Sequence, residues 1–268
     1  MVNVNFWFTP RSRSTALLRC LSNIPDSKII FEKFTWLCVS EAAPETFDLF
    51  GVGNDPTFTY ENILEEWRAE PSKFKILKEL NVAVKDETLP EIADKDSVNI
   101  FLVRSPALTA TSNMPSADIT YYDVISESEA LDMPMVYQKM LDAIEFVKKN
   151  CEKPPLILPG KALSTKEGSV KVVKQICELM GAEFSEDMLS WKSYETFDPS
   201  WDVSFLSRAA DIPFGFFSRA NQSTGFEDGK EREVDMKKVA EDNPQMAADI
   251  EKTDPIYEQI MEHAEKFD

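Results

Sequence analysis

The twenty-one residues from Val2 to Ser22, VNVNFWFTPRSRSTALLRCLS, constrain this chain more than any other stretch. Val2, Val4, Phe6, Trp7 and Phe8 form an apolar, β-prone run. Thr9-Pro10-Arg11-Ser12-Arg13-Ser14-Thr15 interrupts it, and Leu17, Leu18 and Leu21 then recur on one helical face. Strand, tight loop and helix are predicted in that order. A helix that starts straight after such a loop leaves its first backbone N–H groups unpaired and pointing outward, where they and the helix dipole favour an anion. Two arginines and three hydroxyls lie in the five residues from Arg11 to Thr15. Arginine's planar fork matches phosphate or sulfate oxygens, and hydroxyls add neutral donors. A phosphate-binding loop is one reading, and simple capping of the helix by Ser and Thr is the other.

The rest of the chain reads as alternating strands and helices. Ser27–Phe34 is a short buried strand ending in a carboxylate, and Trp36–Thr57, with Pro44, Gly51, Gly53 and Pro56, is expected to be loop-rich and to form part of a pocket. A helix is predicted over Glu61–Glu70, strands over Phe74–Leu80 and Ser97–Val103, and a helix from Pro106 through Ser112. Further helices are predicted over Pro134–Lys149 and Lys166–Met180, the latter stopped by Gly181, with a short strand at Pro155–Leu158 between them. Spacers long enough for crossovers imply an α/β fold of three layers around a central parallel sheet. Ligands of such sheets bind beyond the carboxyl ends of strands, which puts Arg104 on the same rim as the loop. The acid- and lysine-rich stretch Glu227–Asp268 reads as a solvated face with a helix from Pro255 to Phe267, and His263 in it as a surface residue.

At 268 residues with 43% hydrophobic content, a single domain spanning the chain is expected. There is no apolar run of membrane-spanning length and no basic region followed by an apolar core at the N-terminus. The expectation is therefore a soluble cytoplasmic protein with no membrane partner. Cys20, Cys38, Cys151 and Cys177 stand far apart beside a single histidine, so reduced thiols and no metal site are expected. A net charge of −18 excludes nucleic acid as a natural partner. A small anion needs only a local basic site.

Pro10-Arg11-Ser12-Arg13-Ser14-Thr15 resembles the 5′-phosphosulfate loop of sulfotransferases, P-R-S-x-[ST]-T, which follows the first strand and holds 3′-phosphoadenosine 5′-phosphosulfate. It is not a Walker A loop, since G-x-x-x-x-G-K-[ST] is absent. Ile100–Pro106 with Ser112 is similar to that family's 3′-phosphate motif, with Ser105 where aspartate is usual. Leu179–Phe184, Met188–Trp191 and Gln222–Phe226 are similar to its distal segments, the last to an S-T-G-F loop containing Thr224, Gly225 and Phe226. The resemblance implies a P-loop-like sulfotransferase architecture and transfer of a sulfuryl group to a hydroxyl or amine of a small acceptor, without metal. It also implies that Arg11 neutralises the leaving group and that Arg104 and Ser112 hold the 3′-phosphate. Lys78-Glu79-Leu80-Asn81-Val82 resembles K-[DE]-M-x-H but has Val82 where the catalytic histidine stands. Phe31-Glu32-Lys33-Phe34 resembles the E-P-F segment of other members, which makes Glu32 the candidate base and Lys78 a candidate donor to the sulfuryl group. A degenerate binder on the same fold, or another phosphate-loop transferase or kinase, stays open.

Overall fold

A computed structural model describes residues 1–42, 56–113, 119–125, 132–208 and 215–265. Six parallel strands form one sheet in the order β5-β4-β1-β3-β2-β6. They are β1 (Val2–Phe8), β2 (Ser27–Phe31), β3 (Phe74–Glu79), β4 (Val98–Val103), β5 (Leu156–Pro159) and β6 (Asp202–Val203). Every residue of β3, β4 and β5 is buried, as a parallel sheet covered on both faces requires.

The strand alternation separates two cores. Val4, Phe6, Phe8, Ile76, Ile100 and Leu102 face α1 (Ser14–Leu21) and the helix at Lys166–Met180. Trp7, Ile30, Leu77, Phe101 and Val103 face α2 (Lys33–Ala42), α3 (Tyr60–Ala69) and the long helices at Met133–Asn150 and Pro244–Met261. This is the three-layer α/β arrangement expected. Completing the numbering, α4 is Leu89–Ile92, α5 Pro106–Ala110, α6 Tyr121–Ile125, α7 Met133–Asn150, α8 Lys166–Met180, α9 Ser218–Gln222, α10 Met236–Asp242 and α11 Pro244–Met261. No helix among the described residues is long and apolar enough to cross a membrane.

A polar contact between the two central strands fixes their register. Asn5 and Asn99 lie opposite each other in β1 and β4, and the Asn5 amide donates to Asn99 Oδ1 at 3.0 Å and to the Ile92 carbonyl at 2.8 Å. Trp7 Nε1 donates to the same Asn99 oxygen at 3.1 Å. A one-residue slip would strand these buried groups and turn every side chain to the other face.

Several boundaries differ from the sequence expectation. β2 stops at Phe31, and Trp36–Ala42 belongs to α2, not to a loop; residues 43–55 of that stretch lie outside the described residues. The reason is a distant cap: Glu79, at the end of β3, accepts hydrogen bonds from Phe34 N at 3.0 Å, Thr35 N at 2.9 Å and Thr35 Oγ1 at 2.7 Å. The helix after β4 ends at Ala110, short of Ser112. At the C-terminus α11 begins at Pro244, capped by Asn243 Oδ1 accepting from Met246 N at 2.9 Å, and runs through Pro255 to Met261. Pro244 at the first helical position sacrifices no hydrogen bond, so it starts the helix better than Pro255 does. The two-residue strand β6 has no periodic signal and is not among the expected strands.

Burial pushes the Glu79 carboxyl up to about 8, against the pull of its three donors. A carboxyl raised in the folded state stabilises at low pH, and that contribution is lost as pH rises through the folded value. Between pH 5 and 8 the wild type should therefore lose stability relative to Glu79→Gln, by at most about 1.4 kcal/mol per pH unit. Urea unfolding of both proteins across that range checks this; a constant difference would refute it.

Candidate functional site

The chain leaves β1 and β4 in opposite directions. From β1 it passes through α1 to β2, on one side; from β4 it passes through α5, α6 and α7 to β5, on the other. Such a divergence opens a crevice at the carboxyl ends of the two strands, where ligands of open α/β sheets bind. The Thr9–Arg13 loop and Arg104 both lie there.

The loop is bent in a costly way. Arg11 has φ 61° and Arg13 φ 70°, both left-handed, with Ser12 between them at negative φ. This alternation turns successive N–H groups to one side, the geometry of a backbone anion nest. Arg13 is also the N-cap of α1 and makes no side-chain cap, so the first-turn N–H groups of α1 keep no side-chain partner there. Ser12 is fully buried and its Oγ has no hydrogen-bond partner among the described residues. A buried unpaired hydroxyl costs free energy that a ligand can recover. Ser14 and Thr15 are buried at the helix start.

The surrounding bonds hold the loop against β4. Arg104 N donates to Thr9 Oγ1 at 2.8 Å, and Arg104 Nη1 donates to the Arg11 carbonyl at 2.8 Å. Arg11 Nε donates to Ser112 Oγ at 3.2 Å and Arg11 Nη1 to the Phe216 carbonyl at 2.9 Å. Tyr137 donates to the Arg104 carbonyl at 2.6 Å, and Thr109 Oγ1 donates to the Pro10 carbonyl at 3.3 Å. Arg13 Nη1 reaches the Leu163 carbonyl at 2.5 Å. Pro10 to Thr15, Arg104 and Ser112 are thus brought to one place, as expected. Burial lowers the pKa of both Arg13 and Arg104, with Glu231 opposing; a guanidinium remains charged regardless.

Glu32 and Lys78 meet at the ends of β2 and β3. The Lys78 ammonium, fully buried, donates to Glu32 Oε1 and lies 3.6 Å from the centre of the Phe8 ring, at the end of β1. Trp36 Nε1 donates to Glu32 Oε2 at 3.1 Å, and Glu32 itself has φ 48°. Burial lowers the Lys78 pKa, and the Glu32 charge and hydrogen bond raise it. Three of the four non-glycine residues with positive φ among the described residues, Arg11, Arg13 and Glu32, therefore sit on this rim. Strain concentrated there is characteristic of a working site.

Thr224, Gly225 and Phe226 are not brought into hydrogen-bond contact with the loop among the described residues. Gly225 bridges Ser190, the Thr224 carbonyl accepts from Trp191 N at 3.1 Å, and Phe226 meets the Trp191 ring edge-on at 5.1 Å. The stretch that follows is not a uniformly solvated face. Glu231 Oε1 lies 3.7 Å from Arg104 Nε, Arg232 donates to Thr111 Oγ1 at 2.6 Å, and Asp228 accepts from Lys166 N at 2.7 Å. Glu231, Thr9, Tyr137 and Trp36 are site neighbours that the sequence did not reveal; only Thr9, next to the loop, carried a local signal. His263 is exposed just beyond α11, as expected.

Compared with protein-family models the chain matches none, and a search of curated proteins returns no match. The sulfotransferase resemblance thus rests on the sequence motifs alone.

Breaking a buried ion pair on one side leaves an uncompensated charge, which typically costs about 3–5 kcal/mol. Lys78→Met should destabilise by about that much, whereas Glu32→Gln, which keeps an oxygen for the ammonium, should cost less. Urea unfolding of the single and double variants measures the coupling, and additive losses would show that the pair contributes nothing.

Proposed function

We propose that this protein is a sulfotransferase that moves a sulfuryl group from 3′-phosphoadenosine 5′-phosphosulfate to a hydroxyl or amine of a small acceptor. The observation that carries the reading is the joining of two anion-donor groups, the Pro10–Thr15 loop and the Arg104–Ser112 pair, where β1 and β4 diverge. The fit is supported by the left-handed backbone at Arg11 and Arg13 and by the buried Ser12 hydroxyl, which has no partner among the described residues.

The nucleotide, when bound, supplies an activated sulfuryl group. The loop N–H groups, Ser12, Ser14 and Thr15 hold the 5′-phosphosulfate end, and Arg11 neutralises charge that grows on the leaving phosphate. Arg104 and Ser112 hold the 3′-phosphate, which fixes register. Lys78 donates to a sulfuryl oxygen. Glu32 accepts the proton of the acceptor hydroxyl or amine. Each Glu32 oxygen accepts a hydrogen bond, from Trp36 or Lys78, and a carboxylate oxygen with two lone pairs can take a proton with such a donor in place. Fixed cationic donors make a metal unnecessary in this scheme.

Transfer of labelled sulfate to a panel of phenols, alcohols and amines tests the reading. Arg104→Ala should weaken adenosine 3′,5′-bisphosphate binding by about tenfold or more in calorimetry, and adenosine 5′-phosphate should bind the wild type much more weakly than the bisphosphate does. Unchanged affinity in Arg104→Ala would remove the 3′-phosphate assignment. Glu32→Gln should keep the bisphosphate affinity while transfer falls by roughly a hundredfold or more. Near-normal turnover in that variant would show that another group takes the proton.

A further inference from the structure

Both backbone polar groups of Arg104 are held by side chains. Its N–H donates to Thr9 Oγ1 at 2.8 Å, and its carbonyl accepts from the Tyr137 hydroxyl at 2.6 Å. Tyr137 comes from α7, which supplies no other residue of the anion site. It is fully buried, and its ring meets Tyr257 of α11 edge-on at 6.4 Å, so packing fixes where the hydroxyl points. Burial pushes the phenol pKa up, against hydrogen bonds from Thr109 and Thr9, and the group stays a protonated donor.

A second hydroxyl closes the circuit. Thr109 Oγ1, on α5 and 1% exposed, lies 3.2 Å from the Tyr137 oxygen and 3.3 Å from the Pro10 carbonyl. Both separations are long for a hydroxyl donor, as one hydrogen divided between two acceptors gives. The contacts run from Thr9 to Arg104, to Tyr137, to Thr109, to Pro10, and back to Thr9 through the peptide bond. One side of this ring is the entrance of the phosphate loop. The other is the residue that holds the 3′-phosphate in the proposed reaction. Satisfying the Arg104 carbonyl needs only one donor, whereas a closed ring of short, buried side chains also fixes the loop against the arginine.

We propose that Tyr137 is a positioning residue that, with Thr109, sets the separation between the Pro10–Thr15 loop and Arg104 and so selects a nucleotide carrying anionic groups at both ends. The proposal rests on the sulfotransferase reading and adds the element that joins its two anion subsites. A ligand with two charged ends gains from its second contact only where the subsites match its span, because that contact then forms within a single complex. Subsites that drift by a fraction of an ångström lose this gain. A ligand with one phosphate uses one subsite and tolerates the drift. The signature of Tyr137 is therefore the coupling between the two ends of the ligand, not affinity for either end.

The test needs no turnover. Calorimetry compares adenosine 3′,5′-bisphosphate, adenosine 3′-phosphate and adenosine 5′-phosphate on the wild type, on Tyr137→Phe and on Thr109→Val, the monophosphates being read by displacement of the bisphosphate. Tyr137→Phe keeps the packing and removes the donor; it should bind the bisphosphate about tenfold more weakly while each monophosphate changes by less than about threefold. Thr109→Val opens the ring at another point and should show the same selective loss, which keeps the test open if the unpaired Arg104 carbonyl leaves Tyr137→Phe too unstable to measure. Unchanged bisphosphate affinity overturns the assignment and leaves the sulfotransferase reading intact. Equal fold losses for all three nucleotides also overturn it, by marking Tyr137 as a general support of the fold. A wild type that binds none of the three overturns the sulfotransferase reading, and this assignment with it.

Discussion

The bond from Arg104 to the backbone of the β1 loop is the contact on which the site depends. Arg104 uses its own N–H on Thr9 Oγ1 and its guanidinium on the Arg11 carbonyl, so the residue that follows β4 holds both the entrance and the bend of the loop. The contact exists only because β1 and β4 are neighbours in one register, which the Asn5–Asn99 pair at their middle sets. Thr109 and Tyr137 extend the same network behind it. The Arg11 and Pro10 carbonyls of the loop are thereby committed to Arg104 and Thr109. The left-handed turns at Arg11 and Arg13 persist because this network over-determines them.

The second constraint is burial of charge. Lys78 and Glu79 are consecutive and fully buried on opposite faces of the sheet, and each is answered differently. Lys78 meets Glu32 and the Phe8 and Phe31 rings; Glu79 meets the amino end of α2. Arg19 is buried behind the loop, stacked on Tyr194 at 4.6 Å and Trp201 at 5.6 Å and 3.5 Å from Asp198. Replacing such pairs by apolar side chains is often neutral or stabilising, so their presence at the rim argues for chemistry more than for stability. Glu79 serves the fold by capping α2, which begins next to Glu32. The helix that carries Trp36 onto Glu32 is thus started by the strand that carries Lys78.

How much of this is legible in the chain follows from the range of each interaction. The central strands are readable because an unbroken apolar run such as Ile100–Val103 ending in an arginine suits a buried parallel strand and little else, and the loop because five donors crowd into consecutive positions. Boundaries are hidden where the deciding partner lies far along the chain. The start of α2 escapes a local reading because its cap comes from Glu79. β6 escapes because two residues, Asp202 and Val203, carry no period and are held by pairing with Ile30 and Phe31. Glu231 sits in a charged stretch whose composition says solvent, and only the fold lays it on Arg104.

The acidity of the chain and a basic rim are reconciled by distance. At a net charge of −18 the protein repels anions at long range, but beyond about a Debye length, roughly 8–10 Å, that field is screened by salt. Within the crevice the arginines dominate: Arg11, Arg13 and Arg104 converge with their fixed N–H donors. Glu231 answers Arg104 from a side chain one quarter exposed and at 3.7 Å, a loose contact beside the hydrogen-bonded pairs around it. A partly exposed ion pair of that length contributes little. The positive charge of the rim is thus balanced in part by an acid that is only loosely held.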